Sequence, residues 1–329
     1  MKTWTGKTCV LTAMLLGIDA LLWHGRGMAQ DIDPAELVKD IHAIFGEHHA
    51  RAVHAKGVVL DATFEPSAQA RELSTAQVFA SKLQATVRLS NSTGLPEISD
   101  ADPNGSPRGL AVKFKLNDGS EMDWVTHSFN GFPTATAAEF HNFLKAAAAS
   151  GPEAAKPTPI EKYLQAHPNS VAFVTQQKPP PESFATNAYF GVNAFAFVNA
   201  TGKKTTLRYR MIPQAGEKYL DAASAAAKGP NYLMDEIAAR VARTPVVFDW
   251  FAQIAEPTDK ADDPSTPWPE ARQLVKLGTL TITGIAADQE GSSRRLVFLP
   301  SNVAAGIEPV DPMIDVRSAA YPISFGERQ

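Results

Sequence analysis

The spacing of hydrophobic residues changes period near residue 57. From 30 to 50, Leu37, Ile41 and the pair Ile44 and Phe45 fall three to four positions apart, which predicts a helix. Short alternating or β-branched runs follow at 58–64, 85–90 and 109–116, separated by Gly, Pro and Asp clusters, and predict strands with long connections. The connection 91–108 is too long for a plain turn, and ordered loops of that length tend to carry function. A capping box formed by Thr136 and Glu139 opens a predicted helix to about Ala149. Thr158 and Glu161 repeat the device, with Pro159 at the first helical position. After the stiff stretch 178–181, the segments 193–198 and 205–211 flank Asn199 and Gly202 as a predicted hairpin. A helical region is predicted from Tyr232 to about Ile254, and two more strands at 277–285 and 295–299. Strands on either side of helices, without a βαβ rhythm, predict an α+β fold: a mostly antiparallel sheet, curled or closed, with helices packed outside. No repeat or boundary divides 30–329, which is expected to form one domain.

The first 29 residues follow another pattern. Lys2 and Lys7 precede a mostly apolar run from Cys9 to Trp23, and Gly27, Met28 and Ala29 form a small-x-small cleavage site. This predicts a cleavable export signal and a periplasmic or secreted protein. The run is short and contains Asp19, so stable membrane insertion is not expected. Cys9 is the only cysteine, so the exported chain would have no thiol for a disulfide, thiolate catalysis or a Cys-ligated metal.

Composition narrows the field further. Hydrophobic residues make up 44% of the 329 and charged residues 20%, the profile of a loop-rich globular protein. Removal of 1–29 leaves 28 basic against 34 acidic residues, so nothing in the charge argues for a nucleic-acid partner. No P-loop, GxGxxG, GxSxG or HExxH signature occurs.

Three clusters could carry chemistry. The first is Arg51, His54, Lys56 and Gly57 at a helix-to-strand junction, where a lone histidine is more often structural. In the second, strand alternation places Arg88 and Ser90 on one face, ahead of the long loop and of Pro107, Arg108 and Gly109. In the third, Arg317 and Tyr321 are i,i+4 neighbours if helical, close enough for the guanidinium to hydrogen-bond the phenol.

In this order the clusters resemble the haem catalases. The resemblance rests on His-Ala-Lys-Gly at 54–57, Val-Arg-x-Ser at 87–90, Pro-Arg-Gly-x-Ala-Val-Lys-Phe at 107–114 and Arg-x-x-x-Tyr at 317–321. Trp268 with Pro269, Leu277 with Gly278, and the segment 300–309 add to it, and nearly all of 45–329 is covered. The chain is most similar to the short catalase-related peroxidases, which keep the haem-binding core without the C-terminal helical region of large catalases.

The resemblance implies that the α+β fold is an antiparallel β-barrel with surrounding helices, a catalase-like haem-binding core. It implies haem b with Tyr321 as axial ligand to the iron, bound as tyrosinate and assisted by Arg317. It implies His54 as distal acid–base group, Ser90 as its tautomer-fixing partner, and Arg51, Arg88 and Arg328 as partners of the haem propionates. Large catalases carry an Asn near the distal His. Here Ser128 aligns with it, Asn130 follows two residues on, and His127 lies in the same segment. Ser92 and Ser106 stand where the narrow channel usually has Val and Asp. Loss of that carboxylate's field favours a peroxidase that reduces H2O2 or a small organic hydroperoxide through a ferryl intermediate, using a small-molecule electron donor. The alternatives are a true catalase, a fatty-acid hydroperoxide isomerase and a non-catalytic haem-binding protein. The oligomer is expected to be a monomer or homodimer. Without the resemblance, a sugar- or lipid-binding periplasmic β protein would come first.

Overall fold

The computed structural model describes residues 32–329. The expected export signal lies outside the described residues. Asp33 accepts from the Ala35 amide and opens α1 (Pro34–Phe45), and Gly46 at φ 84° ends it before residue 50.

Eight strands follow. They are β1 (Gly57–Pro66), β2 (Leu83–Ser90), β3 (Gly109–Lys115), β4 (Glu121–His127), β5 (Tyr189–Val198), β6 (Lys204–Pro213), β7 (Val246–Ile254) and β8 (Leu274–Ile285). Each pairs antiparallel with its neighbour, β8 returns to β1, and one pair, His127 with Phe190, joins β4 to β5. The product is an eight-stranded antiparallel barrel with helices around it, the closed form of the sheet that the strand pattern predicted and the barrel that the resemblance implied. A ninth strand, β9 (Ile307–Pro309), pairs with β5 beyond the bulge between Gly191 and Phe195.

Alternation sends Leu60, Ala62 and Phe64 of β1, Val112 and Phe114 of β3, Trp124 of β4 and Phe248 and Trp250 of β7 into the barrel, all essentially inaccessible. The rings of Trp124 and Trp250 lie 3.7 Å apart between centroids, and Tyr209 stands 4.6 Å from Trp124. Aromatic side chains therefore fill the lumen. The site assembled below is built instead from the outer face of β1–β4 and the helices and loops that cover it.

Those helices are α1, α3 (Ala137–Ala148) and α9 (Met313–Gly326), joined through Leu37, Ala137, Leu144 and Met313. Both predicted N-caps on the intervening segment are present. Thr136 accepts from the Glu139 amide at 3.2 Å, and Thr158 with Glu161 forms the full box at the start of α4 (Pro159–Ala166).

Three expectations are corrected. The region from Tyr232 to Ile254 divides into a helix, Tyr232–Val241, and strand β7, because Pro245 follows the helix and the next residues alternate in burial. The expected strand at 295–299 is the end of a helix, Gln289–Arg295, followed by irregular chain. Strand β4 was not expected at all. Its residues Met122, Asp123 and Trp124 are buried in succession, and a charged residue among them obscured the alternation. Among the described residues, no helix is long and apolar enough to cross a membrane.

Candidate active site

On the outer face of the barrel, cross-strand pairing aligns Gly57, Ser90, Gly109 and His127 in one row, and Val59, Arg88, Ala111 and Val125 in the next. His54 reaches this row from the segment before β1. It is the only non-glycine residue among those described with a positive φ, 55°. Its amide donates to the Ser92 carbonyl at 3.0 Å, and the next amide, of Ala55, donates to Thr93 at 3.1 Å, which ties the turn to the loop after β2. Nδ1 of His54 lies 3.0 Å from the Ser90 hydroxyl. The ring covers Gly109 so closely that a Cβ there would stand 2.8 Å from Nδ1 and 2.6 Å from the Ser90 oxygen. A glycine at 109 is thus a spatial requirement of the imidazole's position. Burial first, then the charge of Arg88, lowers the His54 pKa to about 3, so the ring is neutral at ordinary pH and its Nε2 can accept a proton.

A second element brings an aromatic oxygen to this chamber. On α9, Nε and Nη2 of Arg317 both donate to the Tyr321 phenol oxygen, at 3.0 and 2.6 Å. Nη1 donates to the Asn193 side-chain oxygen at 2.5 Å, and Asn193 donates to Asp311 at 2.7 Å. Asp311 also accepts the Met313 amide at the start of α9. The guanidinium is thereby locked in plane and aimed at the phenol, a geometry that stabilises negative charge on that oxygen. The 51–54 segment leans on the same helix. Ala52 packs with Ala320 and Tyr321, and its amide donates to Ser324 at 3.1 Å. The charge of Arg317 also contributes to lowering the pKa of both His54 and His127, so helix and barrel row are within electrostatic reach.

Arg51, Arg88 and Arg328 form the third part. Among the described residues their hydrogen-bond partners are all carbonyls: Ser293 and Leu296 for Arg51, Ala55 for Arg88, and Arg294 and Leu296 for Arg328. No salt bridge of the described structure involves any of them. Nε of Arg88 is buried with no hydrogen bond. Burial, then the charges of Arg88 and Arg328, pushes Arg51 down to about 8. Burial and Arg328 push Arg88 to about 9, and burial alone takes Arg328 to about 10. Three neighbouring cations, two buried and one half-buried, without a carboxylate suit a ligand that brings its own anionic groups.

The two residues expected near His54 from the β4 end are placed differently. Ser128 follows the last residue of β4, and its hydroxyl accepts the Arg108 amide at 2.8 Å. Asn130 reaches towards Glu270 on the exposed rim at 3.4 Å. Neither is brought to His54 by a hydrogen bond, whereas His127 occupies the strand row beside Gly109. Sequence reasoning also missed Asn193 and Asp311. Asn193 sits at the β5 bulge, where no periodicity marks it, but Asp311 stands two residues ahead of α9 in a capping position that could have been noticed.

No group of three His, Cys, Asp or Glu able to hold a bare metal ion occurs among the described residues. A metal held by Tyr321 would need its remaining ligands from a macrocycle. A planar iron porphyrin with two carboxylates fits the whole: one phenol oxygen steadied by Arg317, neutral imidazoles on the barrel row, and unbalanced arginines for the carboxylates.

Comparison with known proteins agrees with that fit. The family model described as Catalase matches residues 34–328. A catalase-related peroxidase of Mycolicibacterium paratuberculosis is 36% identical over 303 residues, covering 90% of this chain and 95% of the relative. Another, from Synechococcus elongatus, is 29% identical and covers 91% and 90%. The catalase of Mus musculus is 27% identical over 84% of this chain but only 56% of its own length. In structure, a fungal catalase superposes with a TM-score of 0.75 at 18% identity, over 85% of this chain and 59% of that one.

Proposed function

The chain belongs to the catalase family, and from that premise we propose that it is an exported haem b peroxidase that reduces H2O2 or small organic hydroperoxides with an organic electron donor. The observation that carries the proposal is the Tyr321 phenol held by two N–H groups of Arg317, within electrostatic reach of a half-buried neutral His54 and near an arginine trio that lacks carboxylate partners.

In this reading Tyr321 would ligate the iron of a haem, and Arg51, Arg88 and Arg328 would hold its propionates. When bound, the haem would supply the two electrons that break the O–O bond and would recover them from the organic donor. Arg317 keeps the Tyr321 oxygen anionic, and the Asn193 and Asp311 pair keeps Arg317 from rotating away. His54 Nε2 takes the proton from one peroxide oxygen and returns it to the other as the O–O bond breaks and water leaves. Ser90 holds the opposite ring nitrogen, so the ring cannot turn during the transfer.

The preference for an organic donor over a second H2O2 rests on the loop after β2. Its hydroxyls Ser92 and Ser106 lie together, the Ser92 oxygen donating to the Ser106 carbonyl at 2.8 Å. Two of the loop's three carboxylates are committed elsewhere, Asp100 to Lys56 at 2.9 Å and Asp102 to the Asn104 amide at 2.8 Å, and the third, Glu97, is exposed. No carboxylate stands at position 92 or 106 to orient incoming peroxide. Export rests on the charged start, apolar run and small-x-small site within 1–29.

Addition of H2O2 to the haem-reconstituted protein on an oxygen electrode, without and with a phenolic dye, tests the reading. Dye oxidation with little oxygen is the expected result. Vigorous oxygen release without dye would make the protein a true catalase, and failure to retain haem would overturn the proposal. Tyr321→Phe is expected to lose most of the haem, measured by the ratio of haem to protein absorbance.

A further inference from the structure

The roles assigned above leave His127 unused. His127 ends β4 directly across from Gly109, the residue covered by the His54 ring, so the two histidines stand on neighbouring positions of one barrel face. Their rings differ in what holds Nδ1. For His54 the partner is the Ser90 hydroxyl, which can donate or accept. For His127 it is the Phe129 amide at 3.3 Å, which can only donate. The neutral His127 ring must therefore carry its proton on Nε2, and an imidazolium would set a ring N–H against the amide N–H. That Nε2 is buried and makes no hydrogen bond among the described residues. A buried donor without a partner is rare, and such groups collect at functional sites.

We propose that His127 is a further catalytic residue, whose Nε2–H donates a hydrogen bond to the oxygen of a hydroperoxide bound beside His54. The inference rests on the haem-peroxidase reading. It divides the labour between two chemically identical side chains by the group that faces Nδ1: His54, beside a hydroxyl, can serve as base, and His127, beside an amide N–H, can serve only as donor. It also assigns the polar contact expected from Ser128 or Asn130 to a residue with a rigid ring. Burial, followed by the Arg317 charge, lowers the His127 pKa to about 3, in keeping with a neutral donor.

Two measurements on the full chain test this. In the apoprotein labelled with 15N-histidine, the His127 signal, identified by its disappearance in His127→Asn, is expected to show a protonated Nε2 and a bare Nδ1 at neutral pH. The opposite tautomer, or an imidazolium, would overturn the proposal. In the haem-loaded ferric protein, fluoride serves as a small anion that only accepts hydrogen bonds. Its affinity, read from the absorbance spectrum, is expected to fall roughly tenfold or more in His127→Phe and to recover largely in His127→Asn. Equal affinity in wild type and His127→Phe overturns the donor role while leaving the haem reading intact. A wild-type chain that takes up no haem overturns that reading, and this inference with it.

Discussion

His54 holds its imidazole over Gly109 from a backbone conformation that side chains with a Cβ disfavour, at φ 55°. Replacement should therefore separate strain from chemistry. His54→Gly is expected to be more stable than His54→Ala by about 1 kcal/mol, measured by urea denaturation of the apoproteins, while both lose the acid–base group. In the haem-loaded enzyme each should slow the peroxide step by about 10²–10⁴-fold in stopped-flow absorbance. The sequence made Arg317 and Tyr321 legible, because i,i+4 spacing on a helix is a local rule, and the observed bonds follow it. It also brought Arg88 and Ser90 to one face by alternation. Asn193 and the orientation of His127 were not legible, and Asp311 was legible only as a cap two residues ahead of its helix. The partners of Asn193 lie far along the chain, and no local period marks a residue at a bulge or the last position of a strand.

At the scale of elements, the row Gly57, Ser90, Gly109 and His127 is a product of register across four strands. Both glycines lie beside Ser90, and at Gly57 an added Cβ would meet the Arg88 guanidinium at 2.6 Å. Gly109→Ala is accordingly expected to displace the His54 ring and abolish most activity while the chain still binds haem. A retained haem spectrum with unchanged turnover would contradict this. The barrel itself was readable where strands alternate cleanly, as in β1 and β3. It was unreadable where helix and strand adjoin, since Tyr232–Val241 and Val246–Ile254 are separated by only four residues. Buried strand residues there share the apolar character of a helix face, and only Pro245 marks the change.

For the molecule as a whole, two linked groups set its response to conditions. His54 and His127 are neutral when folded, with pKa values of about 3, against about 6.5 when unfolded. The unfolded chain therefore binds more protons as pH falls below 6.5, and each imidazole withdraws stability by an amount approaching 1.4 kcal/mol per pH unit between 6.5 and 3. His42 runs the other way. Although burial works against it, the Glu327 hydrogen bond and charge raise its pKa, so its contribution is present below 6.5 and lost above its folded value. Urea denaturation of apo wild type and apo His127→Phe at pH 7 and pH 5 is expected to show the steeper loss in wild type. The arginine trio makes a second demand. Arg88→Met is expected to stabilise the apoprotein by about 1 kcal/mol, because it removes a buried cation repelled by Arg51 and Arg328, and to weaken binding of protoporphyrin tenfold or more. The dimethyl ester of the porphyrin should bind both proteins alike, as a fluorescence titration would report.

One pair, His127 with Phe190, joins β4 to β5, and the strand that makes it also supplies the last position of the active-site row. The seam that closes the cylinder and the last position of the catalytic face consequently share one residue. A chain with β4 detached from β5 would keep His127 in register through β3 but lose its tie to Phe190. A change at that seam therefore bears on chemistry as well as on stability, and Phe190 answers to both.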